Sequence, residues 1–208
     1  MTDVISFNTD ELAKVKPVKT TNILTYNLVD ENDPILYQPV TDWDFSDPRF
    51  GPKEANEFAS SLVETCIKNR GLGLSANQCG FPYKVFVAGY DDNYVAYFNP
   101  KIIKQSSESE IGPEGCLSFP HFYLNILRSK WVEVEYQDFN GEKHTARFEG
   151  LTARIFLHEY DHMMGIVFAN RAKPLALKSG IDKRNKLFNR MKKAQKHLSK
   201  LAMEGKSN

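Results

Sequence analysis

The 208-residue chain is expected to fold as α+β, with small antiparallel and mixed β-sheets around a central helix bearing an HExxH pattern, and a further helix at the C-terminus. Three observations predict this. One helical pattern comes early, a series of short β-branched and aromatic runs fills the middle, and two helical patterns close the chain. Strands and helices that segregate in this way, rather than alternating, favour α+β over a parallel α/β sheet.

Each element has a local reason. "ILTYNLVDENDPILYQPV" mixes short apolar runs with Asp-Pro breaks and reads as extended chain and turns. Over 52–70, Pro52 suits a first helical position, Ala55, Ala59, Leu62 and Cys66 share one face, and Gly71 is placed to stop the helix. "KVFVAGY" and "YVAYFNPKII" have strand composition. "WVEVEYQD" alternates, with Val132, Val134 and Tyr136 on one face, and Asn140-Gly141 turns it into "KHTARF" as a hairpin. A helix over about 151–164 should end at Gly165, with Leu151, Ile155, His158 and His162 as its inward stripe. The last helix is expected over about 180–203, with Ser179 and Asp182 as a capping box. Leu187, Met191, Ala194, Leu198 and Leu201 form a narrow seam expected to dock it on the body.

Bulk properties narrow the classes. Net charge is +1, so the whole molecule has no blanket attraction to nucleic acid. From residue 171 onward, however, twelve Lys and Arg face only Asp182 and Glu204, a net +10 that leaves −9 for the rest. Three cysteines, Cys66, Cys79 and Cys116, argue against a disulfide scaffold and for a reducing compartment. The acidic start "MTDVISFNTDELAKV" has no signal-peptide character, and no apolar run reaches bilayer length. The expectation is a cytoplasmic protein without membrane contact, whether from a bacterium, an organelle or a virus-infected cell.

His158 and His162, four apart with Glu159 beside the first, form the HExxH pattern of helical metal sites. A catalytic ion needs three protein ligands and an open position. The bland alternative, two satisfied core histidines, requires several polar partners once a carboxylate is buried with them. The protease spacing HExxHxxGxxH would place a histidine at 168, where Phe168 stands despite a matching Gly165. A Glu from a following helix reduces to Glu204 near the terminus, and Asp182 is explained as a helix cap. Upstream, "GPEGCLSFP" at 112–120 sets Cys116 among turn formers and off any periodic face, where a thiolate would complete a Cys-His-His set. Cys66, on its helix stripe, fits the role of a small buried hydrophobe.

At these residues the chain resembles the peptide deformylase family. Three motifs carry the resemblance in the right order over about residues 24–170: "GLGLSANQ" at 71–78, "EGCLS" at 114–118 and "HEYDHMMG" at 158–165. The second and third together are specific, whereas the glycine-rich block alone is weak. The resemblance implies metal ligands Cys116, His158 and His162, a catalytic Glu159, and oxyanion donors in Gln78 and the Leu117 N–H. It implies one divalent ion per chain, physiologically Fe²⁺, with Zn²⁺, Ni²⁺ and Co²⁺ as alternatives compatible with one thiolate and two imidazoles. The family usually has Ala where Ser75 stands, often Pro at Asn77, Gln at Leu157, and Arg or another polar residue at Tyr123.

The residue types suit hydrolysis of an N-formyl amide on methionine. A bound divalent ion lowers the pKa of water from about 16 toward 7, and a neighbouring carboxylate can carry the proton from water to the departing amine. Gly71 and Gly73 permit close backbone approach, so a substrate peptide is expected to pair there as an added strand. Leu72, Gly73, Gly115, Tyr123, Leu151 and Ile155 are the expected substrate contacts. The expected organisation is a flexible arm at 1–22, a deformylase-like catalytic domain at 23–175 and a basic C-terminal helix at 176–208, in a monomer. That helix is a candidate for ribosome contact, where formylmethionyl nascent chains emerge. Asp161 and Arg128 are read chiefly as solvated surface charges, with an ion pair near the site as the alternative. Two rival classes are a metallopeptidase, which would keep its metal without Cys116, and an inactive nucleic-acid-binding fold, which would hold none.

Overall fold

A computed structural model of the chain describes residues 24–90 and 93–204, so the expected arm at 1–22 lies outside the described residues. Its described part contains three α-helices, α1 (Pro52–Lys68), α2 (Gly150–Met163) and α3 (Pro174–Glu204). Its seven strands are β1 (Gly73–Ser75), β2 (Val85–Tyr90), β3 (Asn93–Gln105), β4 (Ser109–Cys116), β5 (Phe119–Ser129), β6 (Trp131–Gln137) and β7 (Lys143–Glu149). They form a five-stranded sheet in the order β1-β2-β3-β6-β7 and a separate β4-β5 hairpin, with antiparallel pairing throughout. The α+β expectation holds.

Helix α2 touches β1, β2 and β7 of the large sheet and β5 of the hairpin, so it is held between the two. Ala55, Ala59, Leu62 and Cys66 of α1 are fully buried, and the helix packs on β1 and β2 as its stripe predicts. Val132, Val134 and Tyr136 are buried against Phe86, Tyr97 and Phe156, the core under α2. Each such large apolar side chain contributes about 1.5–3 kcal/mol when fully buried. Trp43 anchors a second core, against Phe50, Phe58, Tyr83 and Phe98.

Several local expectations are corrected. The left-handed residue that ends α1 is Arg70, with φ 58°, and not Gly71. Helix α3 starts at Pro174, six residues early, so Ser179 and Asp182 lie inside it and form no capping box. Pro at a first helical turn is tolerated because its missing N–H is an orphan there anyway. The apolar seam of α3 does not dock over its described side chains: Leu187, Met191, Ala194 and Leu198 are exposed, Leu198 at 65%, and the Leu201 side chain lies outside the described residues. Contact with the body is made earlier, where Gly180 lies against Leu124 and Arg184 bonds Glu31 and the Pro120 carbonyl. The single inward stripe of α2 is also too narrow, since Ala153, Phe156, Leu157, Glu159, Asp161 and Met163 are buried as well. Enclosure by two sheets leaves the helix little solvent face.

Candidate metal centre

Cys116 is the last residue of β4, at an irregularity where the register against β5 shifts between Gly115 and Cys116. That break aims its side chain at α2. Cys116 Sγ lies 3.2 Å from His162 Nε2, and the donor atoms of Cys116, His158 and His162 all fall within 4.8 Å of one another. His162 is fully buried and His158 nearly so. The i, i+4 spacing brings their rings to 5.1 Å between centroids.

The tautomer of His158 is dictated by its neighbour. Its Nδ1 sits 3.0 Å from Glu114 Oε2, an acceptor when ionised, so Nδ1 carries a proton and Nε2 is the nitrogen that can bind an ion once its own proton has left. Burial alone would raise the Glu114 pKa, but Arg128 and His158 outweigh it and hold the carboxyl at about 2. Burial opposes the charged form of His158 too, yet Cys116 and Glu114 prevail and lift it to about 10. An ion that binds there must displace this proton, since a ligating imidazole is neutral. His162 goes the other way, its pKa well lowered by burial and then by His158 and Arg128. Its Nδ1 has no partner among the described residues. One thiol sulfur and two imidazoles, one with its tautomer fixed, fit a divalent ion of borderline softness.

Behind the donors lies a buried ion network. Arg128 bonds Glu114 in bidentate fashion, 2.9 Å at each oxygen, and bonds Asp161 through Nη1. Arg154 adds a 3.0 Å bond to Glu114, and Arg171 bonds both oxygens of Asp161. Arg128 and Asp161 are therefore buried partners, not solvated charges.

Glu159 is 4% exposed, and burial raises its pKa above the ordinary carboxylate value. Ser75 Oγ donates to its Oε2 at 2.8 Å. Gly73 is required beside it, because a Cβ there would stand 2.5 Å from Glu159 Oε1. Gln78 closes the other side: its Oε1 accepts from the Ser75 N–H, and its Nε2 lies 3.2 Å from both Cys116 Sγ and Ser118 Oγ. Asn77 donates to the His162 carbonyl at 2.7 Å, tying the motif at 71–78 to the end of α2.

These groups lie along a groove of about 470 Å³. One wall is residues 70–73, the other comes from 113–123, and α2 supplies Leu151, Arg154, Ile155, His158 and Glu159. Leu72, Gly73, Gln78, Gly115, Cys116, Leu117, Tyr123, Leu151, Ile155 and Glu159 all line this groove, while His162 lies just behind the surface. Tyr123 is 70% exposed at the mouth and covers Gly115, where a Cβ would strike its ring at 2.7 Å.

The family model for polypeptide deformylase matches residues 25–178. The chain belongs to the polypeptide deformylase family. It is 39% identical over 145 residues to a peptide deformylase of Thermotoga neapolitana, covering 68% of this chain and 84% of that one. Among solved structures it is similar to a peptide deformylase from Synechococcus elongatus in complex with actinonin, with a TM-score of 0.71 at 30% identity over 82% of this chain and 92% of that chain. A Plasmodium falciparum peptide deformylase matches with a TM-score of 0.68 at 29% identity, over 80% and 97% of the two chains. Removal of the formyl group from N-formylated polypeptides is the reaction that membership brings to this chain.

Glu114, Ser75, Arg154 and Arg171 had no assigned role in the sequence. A signal for Glu114 existed: a histidine ligand commonly donates its second N–H to a carboxylate, and an acid two residues before Cys116 is well placed for it.

Proposed function

We propose that the chain hydrolyses the formyl amide of N-formylmethionyl nascent peptides at the Cys116–His158–His162 centre, with release of formate. The observation that carries this reading is the meeting of the three donor groups beside Glu159 on the floor of a peptide-sized groove. When bound, a divalent ion, physiologically Fe²⁺ in our reading, supplies the Lewis acidity that makes water nucleophilic near neutral pH. Glu159 takes a proton from the attacking water as its oxygen bonds to the formyl carbon. It delivers that proton to the nitrogen as the C–N bond breaks, giving formate and a free amine. A raised pKa suits a group that must both accept and return a proton. The amide NH₂ of Gln78 and the N–H of Leu117 face the oxygen of the tetrahedral intermediate; one such donor is worth about 10²–10³ in rate. The peptide runs along the outer edge of β1, the edge strand of its sheet, and its methionine side chain lies against Leu72, Leu151 and Ile155.

Residues 23–175 form the catalytic unit of a cytoplasmic monomer in this reading, and 176–208 an appended basic segment whose helix α3 meets ribosomal RNA. No helix among the described residues is long and apolar enough to cross a membrane. Residues 185–199 are exposed throughout, leaving their cations available for phosphate. Exchanging Lys192, Lys193 and Lys196 for Glu should abolish ribosome co-sedimentation while leaving turnover of a free tripeptide unchanged. For the reaction itself, protein purified without oxygen is given formyl-Met-Ala-Ser, and formate and bound metal are both counted. Cleavage of the unformylated peptide, or metal retained by Cys116→Ala, would favour a metallopeptidase instead.

A further inference from the structure

Among the described residues, three that are not glycine have a positive φ: Arg70 at 58°, Asn99 at 49° and His121 at 60°. Such a backbone is uncommon for side chains with a Cβ and calls for a reason. Asn99 has one in its own hydrogen bonds, since its amide bonds both the N–H and the carbonyl of Trp43 and also Gln137. His121 packs its ring edge-on against Phe188 of α3. Arg70 has no such compensation.

The end of α1 shows what Arg70 displaces. Its N–H bonds the Ile67 carbonyl and the Gly71 N–H bonds the Cys66 carbonyl, each at 2.9 Å, the pair of bonds that marks a helix stop with a left-handed residue at the first position beyond the cap. Glycine is the usual occupant of that position. Here the glycine comes one residue later, where it is needed for space: a Cβ at Gly71 would lie 2.8 Å from Leu117 Cδ1 and 3.0 Å from Cys66 Sγ. The chain therefore places an arginine in a conformation that disfavours it, on the rim of the substrate groove.

The Arg70 side chain is exposed and makes no hydrogen bond or ion pair among the described residues. The other arginine of the groove, Arg154, is consumed by Glu114 and the carbonyls of Glu110, Gly112 and Ile126. The carboxylates of the groove, Glu114 and Glu159, are buried and engaged, so neither neutralises the rim. From the family reading of this groove we infer that Arg70 selects substrates with an acidic side chain in the second or third position, after the formylmethionine. It stands directly before the Gly71–Gly73 edge along which the peptide runs in that reading, and it faces solvent where those side chains emerge.

The test measures kcat/KM on C-terminally amidated formyl-Met-Xaa-Ala and formyl-Met-Ala-Xaa, with Asp, Asn or Lys as Xaa. Amidation removes the terminal carboxylate that would otherwise compete for the arginine. At low salt, Asp should exceed Asn by about two- to fivefold at one of the two positions, as befits an exposed ion pair. The advantage should shrink in about 0.5 M NaCl. Arg70→Gln should erase it while kcat/KM on the Asn peptides stays within twofold, and Arg70→Lys should restore part of it. Arg70→Gly should erase it too, yet melt no lower than the parent, because glycine is at ease in this backbone. Equal rates on Asp and Asn peptides in the parent, a preference that survives Arg70→Gln, or a melting point lowered by Arg70→Gly would each overturn the assignment. Formate released from the Asn peptides alone keeps the deformylase reading intact when the Arg70 assignment fails. No formate from any peptide sinks both.

Discussion

Helices α2 and α3 invert the usual relation between residue type and burial. The shorter, α2, hides His158, Glu159, Asp161 and His162, whereas the 31-residue α3 leaves Leu187, Met191 and Leu198 in water. Charge inside is tolerated in α2 because Glu114 answers His158, Ser75 answers Glu159, and Arg128 with Arg171 answers Asp161, while His162, whose pKa burial lowers, leaves its Nδ1 without a partner among the described residues. Apolar surface outside is tolerated in α3 because exposed leucines cost little beside a dense field of lysines. The comparison teaches that enclosure decides burial. Two sheets surround α2, while the described contacts of α3 with the body lie in its first half, up to Phe188.

The contrast can be broken in four ways. Glu159→Gln should cut kcat by about 10²–10⁴, the range for a positioned general base, while bound metal and melting temperature stay near the parent's. A loss under tenfold would remove Glu159 from proton transfer. Arg128→Met removes the bridge between Glu114 and Asp161 and should cost about 3–5 kcal/mol in urea unfolding, since two buried carboxylates lose their shared partner. A cost below about 1 kcal/mol, the surface value, would show that the network is wet.

Thiol chemistry separates the site from the core. In chelated protein at about pH 8, iodoacetamide should modify Cys116 first, and reloading the metal should protect it. Burial raises the Cys66 and Cys79 thiols, Cys79 to about 12, so both remain protonated and slow until the pH approaches that value. Early labelling of Cys66 would contradict its place in the core. The smallest effect belongs to α3: Leu198→Ser should change stability by no more than about 0.5 kcal/mol, as for other surface positions. A loss of about 2 kcal/mol would mean that the seam is docked after all.

The legibility of the fold followed periodicity. Helices α1 and α2 and the β6-β7 hairpin carry clean repeats, and all were readable, although the hairpin loop runs over 138–142 and is built on the Asp138 side chain rather than on two residues alone. Strand β4 was not readable, because Gly112, Pro113 and Gly115 resemble a turn and most of its side chains are exposed. Its identity comes from β5, where Phe122, Leu124, Ile126 and Arg128 alternate inward and hold it in register. The start of α3 at Pro174 has no distinct local mark, because Ser179 and Asp182 suit a cap equally well wherever a helix begins nearby.

By itself, then, the sequence determined the donor types and the pairing of His158 with His162, because one helical turn sets that distance whatever surrounds it. It also determined that Glu159 stands beside the first ligand. Only the tertiary structure decided that Cys116 reaches His162 across 46 positions, Glu114 reaches His158 across 44, and Ser75 reaches Glu159 across 84. Those separations are closed by sheet register and core packing, which depend on every element at once and leave no local trace in the chain.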